Sequence, residues 1–381
     1  MRKATAPPAT RFQFLDWVRG TFVLLMVEGH TFRALLDPSL KAGAVYQFHE
    51  LIHNLPGPAF LFASGAAFGF SAFAHWDEYQ RWSKKCRQRL LRLLVVLVLG
   101  YLLHLTYFSL GRTLFESTAS QLSFLLSMNI LQCIAYSALL LQFLVMILPG
   151  QKWFLPACLA ATAAVGLATP VVWAAAQRLP WWLGTQAGGN WGSYFPLFPN
   201  AGFAFAGAAW GYLYVSAREK AEESRFLRRT GQVCAALVLG NVAAAFLPVP
   251  PLYSDFWHTG PPFFFLRAAL LGLMMAGFRL AELRFRARAG TLALLGRESL
   301  LVYVGHLMIL HGSALNPDTN LVKLFGTARP AMDVALILLL LAGTMTALSF
   351  IWSRLKEQDA WRARGMRWSL AGYLVYRFVS G

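Results

Sequence analysis

At 381 residues, with 57% hydrophobic and only 13% charged side chains, the sequence does not suit a water-soluble surface. Its net charge of +17 would suit nucleic acid if the basic residues were gathered together, but most of the 34 Lys and Arg lie in short breaks between apolar segments. The composition therefore excludes a soluble multidomain enzyme and a nucleic-acid-binding protein, and fits a chain whose solvent is mostly lipid.

Residues 1–14 are polar and basic, with no separate apolar stretch before a small-residue cleavage site, so the first helix is expected to stay as an anchor rather than leave with a signal peptide. A hydrocarbon core about 30 Å thick needs roughly 20 apolar residues per helix. That rule predicts membrane helices at 15–36, 55–74, 90–109, 122–148, 153–176, 194–216, 230–248, 261–282, 293–313 and 331–353. The expected fold is an all-α polytopic membrane bundle of about ten transmembrane helices. Its divisions are a cytoplasmic N-terminal segment, 1–14, a membrane domain, 15–353, and a basic cytoplasmic tail, 354–381.

The connections carry an orientation signal. Arg2, Lys3 and Arg11, then Arg81, Lys84, Lys85 and Arg87, then Arg218 to Arg229, then Arg284, Arg286 and Arg288, and finally Arg354 to Arg364 all fall on one side of such a bundle. The opposite breaks are poor in positive charge: 248–260 has none and 108–121 has only Arg112. The positive-inside rule then puts both termini in the cytoplasm. In the tail, 363–368 with Leu370, Tyr373 and Phe378 has a loose amphipathic pattern and is expected to lie along the inner surface. Cys86, Cys133, Cys158 and Cys234 show no CxxC spacing, and neither a disulfide framework nor a metal is expected.

The first helix is the informative one. Asp16, Arg19, Glu28 and His30 lie in or at the edge of a single span, where ionisable groups cost roughly 2.5 to 3.5 kcal/mol each and normally face the bundle interior. At about 100° per residue, the step from Arg19 to His30 returns to within about 20° of one face, roughly 16 Å further along the axis. Asp16 lies near the same stripe. Glu28 points about 160° away from His30, so no dyad between them is expected within this helix.

The run Leu15-Asp16-Trp17-Val18-Arg19-Gly20, with Met26 and then His30, resembles the transmembrane acyltransferase superfamily, which includes bacterial glycan O-acyltransferases and the heparan-alpha-glucosaminide N-acetyltransferase group. Pro58 to Gly65, Ile130-Leu131-Gln132, Tyr194 to Pro199 and Leu295 to His306 extend the likeness over most of the chain, nearer to the N-acetyltransferase group. The resemblance implies acetyl-CoA as cytoplasmic donor and an amine or hydroxyl of an extracytoplasmic sugar or glycan as acceptor, in a bacterial inner membrane. His30 would then be the catalytic residue, as base or acyl carrier. Arg19 and Asp16 would bind the donor or organise the site, since a planar guanidinium suits phosphate.

Softer candidates for the acceptor side or a tunnel are His53, Asn54, Gln132 and His306. Arg297 and Glu298 near one end of the ninth helix, with His306 and His311 near the other, repeat the polarity of the first helix and suggest two helices facing one tunnel. Expected partners are acyl-CoA, a sugar or glycan and membrane lipid, with no nucleic acid and a homo-oligomer left open. The rival from another class is a transporter or flippase in which Arg19, Glu28 and His30 bind substrate or relay protons.

Overall fold

The computed structural model describes residues 12–248, 251–285 and 290–381. Within them the chain is helical, with no strand beyond a single bridge between Leu36 and Arg329. The long elements are α1 (Gln13–Leu35), α2 (Ala44–Ile52), α3 (Pro56–Ala74), α4 (Lys84–His104), α5 (Ile130–Ile147), α6 (Phe154–Ala176), α7 (Leu197–Glu219), α8 (Glu223–Ala244), α9 (Pro261–Phe285), α10 (Thr291–Arg297), α11 (Ser299–His311), α12 (Ala331–Gln358) and α13 (Ala360–Ser380). One- and two-turn helices fill several connections.

Helix therefore stands at all ten expected positions. By length and composition, however, five stretches of the described residues can cross a membrane: Ala44–Ala74, Ile130–Ile147, Gln151–Ala176, Pro261–Phe285 and Ala331–Gln358, with a sixth if α10 and α11 count as one bent span. Charge explains much of the difference. α1 carries Asp16, Arg19, Glu28 and Arg33, and the first turns of α4 and α8 are dense in Lys, Arg and Glu. The basic groups expected at 1–11 and at Arg286 and Arg288 lie outside the described residues, as do two residues of the 248–260 break.

Two expected helices are broken. The segment at 122–148 stops at Ser127 and restarts as α5, because Asn129 caps the new helix. Its side chain accepts from the Leu131 and Gln132 amides while the Gln132 side chain accepts from the Asn129 amide, a reciprocal capping box. The segment at 293–313 bends by 82° between α10 and α11. α10 lies flat on α1 through glycines: a Cβ on Gly296 would stand 1.8 Å from the Asp16 carbonyl, and one on Gly20 2.0 Å from that of Leu292. α11 must turn away from that contact to run beside α1 toward His30.

The densest packing is α3 against α7. Gly65 and Gly69 on one, Gly207 and Gly211 on the other, bring the backbones so close that any Cβ there would lie 2.0 to 2.4 Å from a facing carbonyl oxygen. Small residues four apart serve this purpose in lipid, where association rests on close van der Waals packing. Phe12, Phe14, Phe70, Trp210 and Tyr214 close one end of the bundle, beside Glu223, which accepts from the Tyr214 hydroxyl at 2.7 Å and from Arg279 at 2.6 Å.

The tail departs from expectation. α13 does not lie flat beyond the bundle; it runs back beside α12, and Phe378 reaches Phe108 with ring centres 5.8 Å apart. Phe108 follows the end of α4, opposite the end where α1 begins. The described residues thus begin, at the start of α1, and finish, at the end of α13, at opposite ends of the bundle. A helix of this length spans about 30 Å, and it turns Trp361, Trp368, Tyr373, Val375 and Tyr376 outward, as a lipid-facing surface would.

Candidate active site

α1 and α11 run side by side with their histidines in contact. His30 Nδ1 lies 3.0 Å from His306 Nε2, and the rings are nearly parallel with centres 5.2 Å apart. His306 is fully buried, and its Nδ1 lies 2.8 Å from the Val302 carbonyl oxygen. A carbonyl only accepts, so His306 Nδ1 carries the hydrogen and, in the neutral ring, Nε2 offers a lone pair. His30 Nδ1–H then donates to it. The remaining nitrogen, His30 Nε2, is left with a free lone pair. Two hydrogen bonds in series thus assign the tautomer of both rings and aim one base, much as outer partners orient a catalytic imidazole. His311 stands edge-on to His30, ring centres 6.5 Å apart.

Below this pair, toward the start of α1, lies a cavity of about 170 Å³ lined by Arg19, Met26, Phe60, Ser64, Ile130 and Tyr303 among others. Met26 is one turn before His30, and the Tyr303 ring packs edge-on against His306 at 5.7 Å. The stripe expected from the Arg19 to His30 spacing is therefore present: one end lines a chamber with a guanidinium, the other carries an imidazole pair. Asp16 is buried where α10 crosses α1, and both it and Arg19 are engaged in interactions.

The other expected residues part company. Gln132 is buried beside the chamber, but its carbonyl oxygen serves the α5 cap, and a Cβ on Gly100 would touch its Cγ. Asn54 is exposed at the turn after α2 and donates to the Glu50 carbonyl at 3.0 Å. His53 turns away from His30 to meet Glu28, with Nε2 2.5 Å from Oε2, while His49 Nε2 lies 2.8 Å from Oε1. Glu28 and His30 form no dyad, as their angular separation predicts. The reading of the sequence missed this second group, although its signal was present: His49-Glu50-Leu51-Ile52-His53 is an HExxH run on a helix.

A family model described as heparan-alpha-glucosaminide N-acetyltransferase, catalytic, matches residues 11–249. The chain belongs to this family. No curated protein sequence matches it. Membership, with the apolar helices, makes the chain an integral membrane protein of acetyltransferase type. Arg19, His30 and the HExxH run fall inside the family's matched segment, whereas His306 lies beyond it and joins the site only through the fold.

Proposed function

We propose that this protein moves an acetyl group from acetyl-CoA on the cytoplasmic side of a bacterial inner membrane to an amine or hydroxyl of an extracytoplasmic sugar or glycan. The observation that carries the reading is the His30–His306 hydrogen bond, which leaves a lone pair on His30 Nε2, one helical turn beyond Met26 at the wall of a chamber that Arg19 also lines. The family's own description, an N-acetyltransferase acting on a glucosaminide, favours an amino sugar among acceptors.

In this reading the acceptor reaches His30 from the outer half of the bundle. The thioester carbonyl occupies the chamber, and Arg19 attracts the anionic donor from the cytoplasmic side. His30 Nε2 takes the proton from the acceptor N–H or O–H as that atom bonds to the acetyl carbon. The C–S bond breaks, and the coenzyme thiolate recovers the proton from the imidazolium. His306, held by the Val302 carbonyl, accepts from His30 Nδ1–H throughout and stabilises the imidazolium as it forms. The same lone pair serves equally if His30 itself takes the acetyl group first.

The test is acetyl transfer by the purified full-length protein in detergent, with labelled acetyl-CoA and an amino sugar. The wild type is expected to transfer label, and His30→Ala to lose it. A wild type that neither binds acetyl-CoA, releases its thiol nor takes up label removes the enzyme reading and favours a transporter; activity surviving in His30→Ala removes the site. Label on the protein without acceptor marks the covalent route. Arg19→Gln is expected to raise the KM for acetyl-CoA more than it lowers kcat.

A further inference from the structure

On the opposite face of α1, Glu28 meets two histidines of α2, and the donor atoms of all three lie within 4.8 Å of one another. We infer that Glu28, His49 and His53 form a site for a divalent transition metal of the zinc class, fastening α2 to α1 at the end that carries His30.

Three observations converge on this. His53 Nδ1 donates to the His49 carbonyl at 2.7 Å, which leaves Nε2, in the neutral ring, as a lone pair. That lone pair faces only oxygen: the Leu25 carbonyl at 3.0 Å and Glu28 Oε2 at 2.5 Å. Three electron-rich atoms directed at one another require a cation between them, either a proton or a metal ion. Glu28 Oε2 is buried with no aligned hydrogen bond of its own despite the close nitrogen, because His53 Nε2 is better aimed at the Leu25 carbonyl.

One ring already has the outer partner a zinc site uses. A ligating histidine hands its second ring N–H to a carbonyl or carboxylate; His53 does so to the His49 carbonyl, while the nearest carboxylate to His49 Nδ1, Glu50 Oε1, stands 3.6 Å away, beyond hydrogen-bond distance. The histidines sit at i and i+4 of one helix face, their rings stacked with centres 4.0 Å apart, and the third ligand comes from a different helix. Two nitrogens and one carboxylate oxygen suit zinc better than calcium or magnesium. Ligands of a tetrahedral ion at about 2.0 to 2.1 Å stand roughly 3.3 Å apart, so the contacts at 2.8 and 2.5 Å open by less than about 1 Å on loading. The backbone allows the approach because residue 29 is glycine: a Cβ there would stand 2.0 Å from His53 Cδ2.

The same geometry separates this site from a zinc hydrolase. In an HExxH hydrolase the glutamate of the run is a general base. Here Glu50 is held by Arg33 of α1 at 2.7 Å, a second clasp between the same two helices. The metal's part is to hold α2 against α1.

The experiment uses the full-length protein in detergent, stripped with chelator, reloaded with zinc and passed through gel filtration before metal analysis. The wild type is expected to retain about one zinc ion per chain and, loaded with cobalt, to show the visible absorption of a low-coordinate site. His49→Ala/His53→Ala is expected to lose both. The near-isosteric Glu28→Gln is expected to bind at least about tenfold more weakly. Glu50→Gln and His30→Ala are expected to keep the metal. A wild type that emerges without zinc overturns the inference whatever the variants do. So does equal zinc in Glu28→Gln or in a double variant that elutes as the wild type does. Because metal content is read directly, failure here is distinct from failure of acetyl transfer.

Discussion

Glu28 and His30 are two residues apart on α1, yet each belongs to a different histidine group. His30 turns inward to α11, where its partner is an imidazole already committed to a backbone carbonyl, and the outcome is one nitrogen with a free lone pair. Glu28 turns to α2, where both partners present nitrogen to a carboxylate, and the outcome is a pocket that calls for a cation. Residue type does not decide between a base and a ligand set; the atom on the far side of the ring does. A carbonyl beyond His306 makes its neighbour a proton acceptor. Carbonyl and carboxylate oxygens in front of His53 make that nitrogen a place for a positive charge.

The comparison breaks most sharply at His30. His30→Ala is expected to lower acetyl transfer by about 10² to 10⁴-fold, the range for losing a positioned base, while leaving zinc content unchanged. His306→Ala should cost about 10- to 100-fold in kcat with KM nearly constant, because it removes the partner that orients His30 rather than the base itself. If kcat for His306→Ala matches the wild type, the two rings do not act together. Arg33→Gln removes a half-exposed ion pair worth about 0.2 to 1 kcal/mol and should weaken metal retention slightly, read as a small drop in thermal midpoint with zinc present. Asn54→Ala should alter stability, transfer and metal by less than about 0.5 kcal/mol, since its side chain meets only an exposed turn. A large effect at Asn54 would restore it to the acceptor side.

Much of the site could be read before any coordinates. The eleven-residue step from Arg19 to His30 survives as a stripe from chamber to imidazole, because helical periodicity alone brings those positions to one face. The same periodicity separated Glu28 from His30. The break before α5 was written in Asn129 and Gln132, an N-cap residue followed three places on by glutamine, though apolar residues on both sides masked it. The HExxH run was equally legible, yet its third ligand was not, since Glu28 precedes His49 by 21 residues and only the docking of α2 on α1 joins them.

By itself the sequence determined that this chain lives in lipid, that it is helical, and that one face of its first helix holds an arginine and a histidine, because composition and period act over neighbouring residues. Tertiary structure decided the rest. The bend between α10 and α11 follows from glycines that meet α1. The path of α13 back to Phe108 follows from contacts across more than 250 residues of chain, which no local pattern encodes. The pairing of His30 with His306, 276 positions later, is of the same kind. The tautomer of His30 was set only when packing brought a second imidazole, itself tied to the Val302 carbonyl, within hydrogen-bond distance.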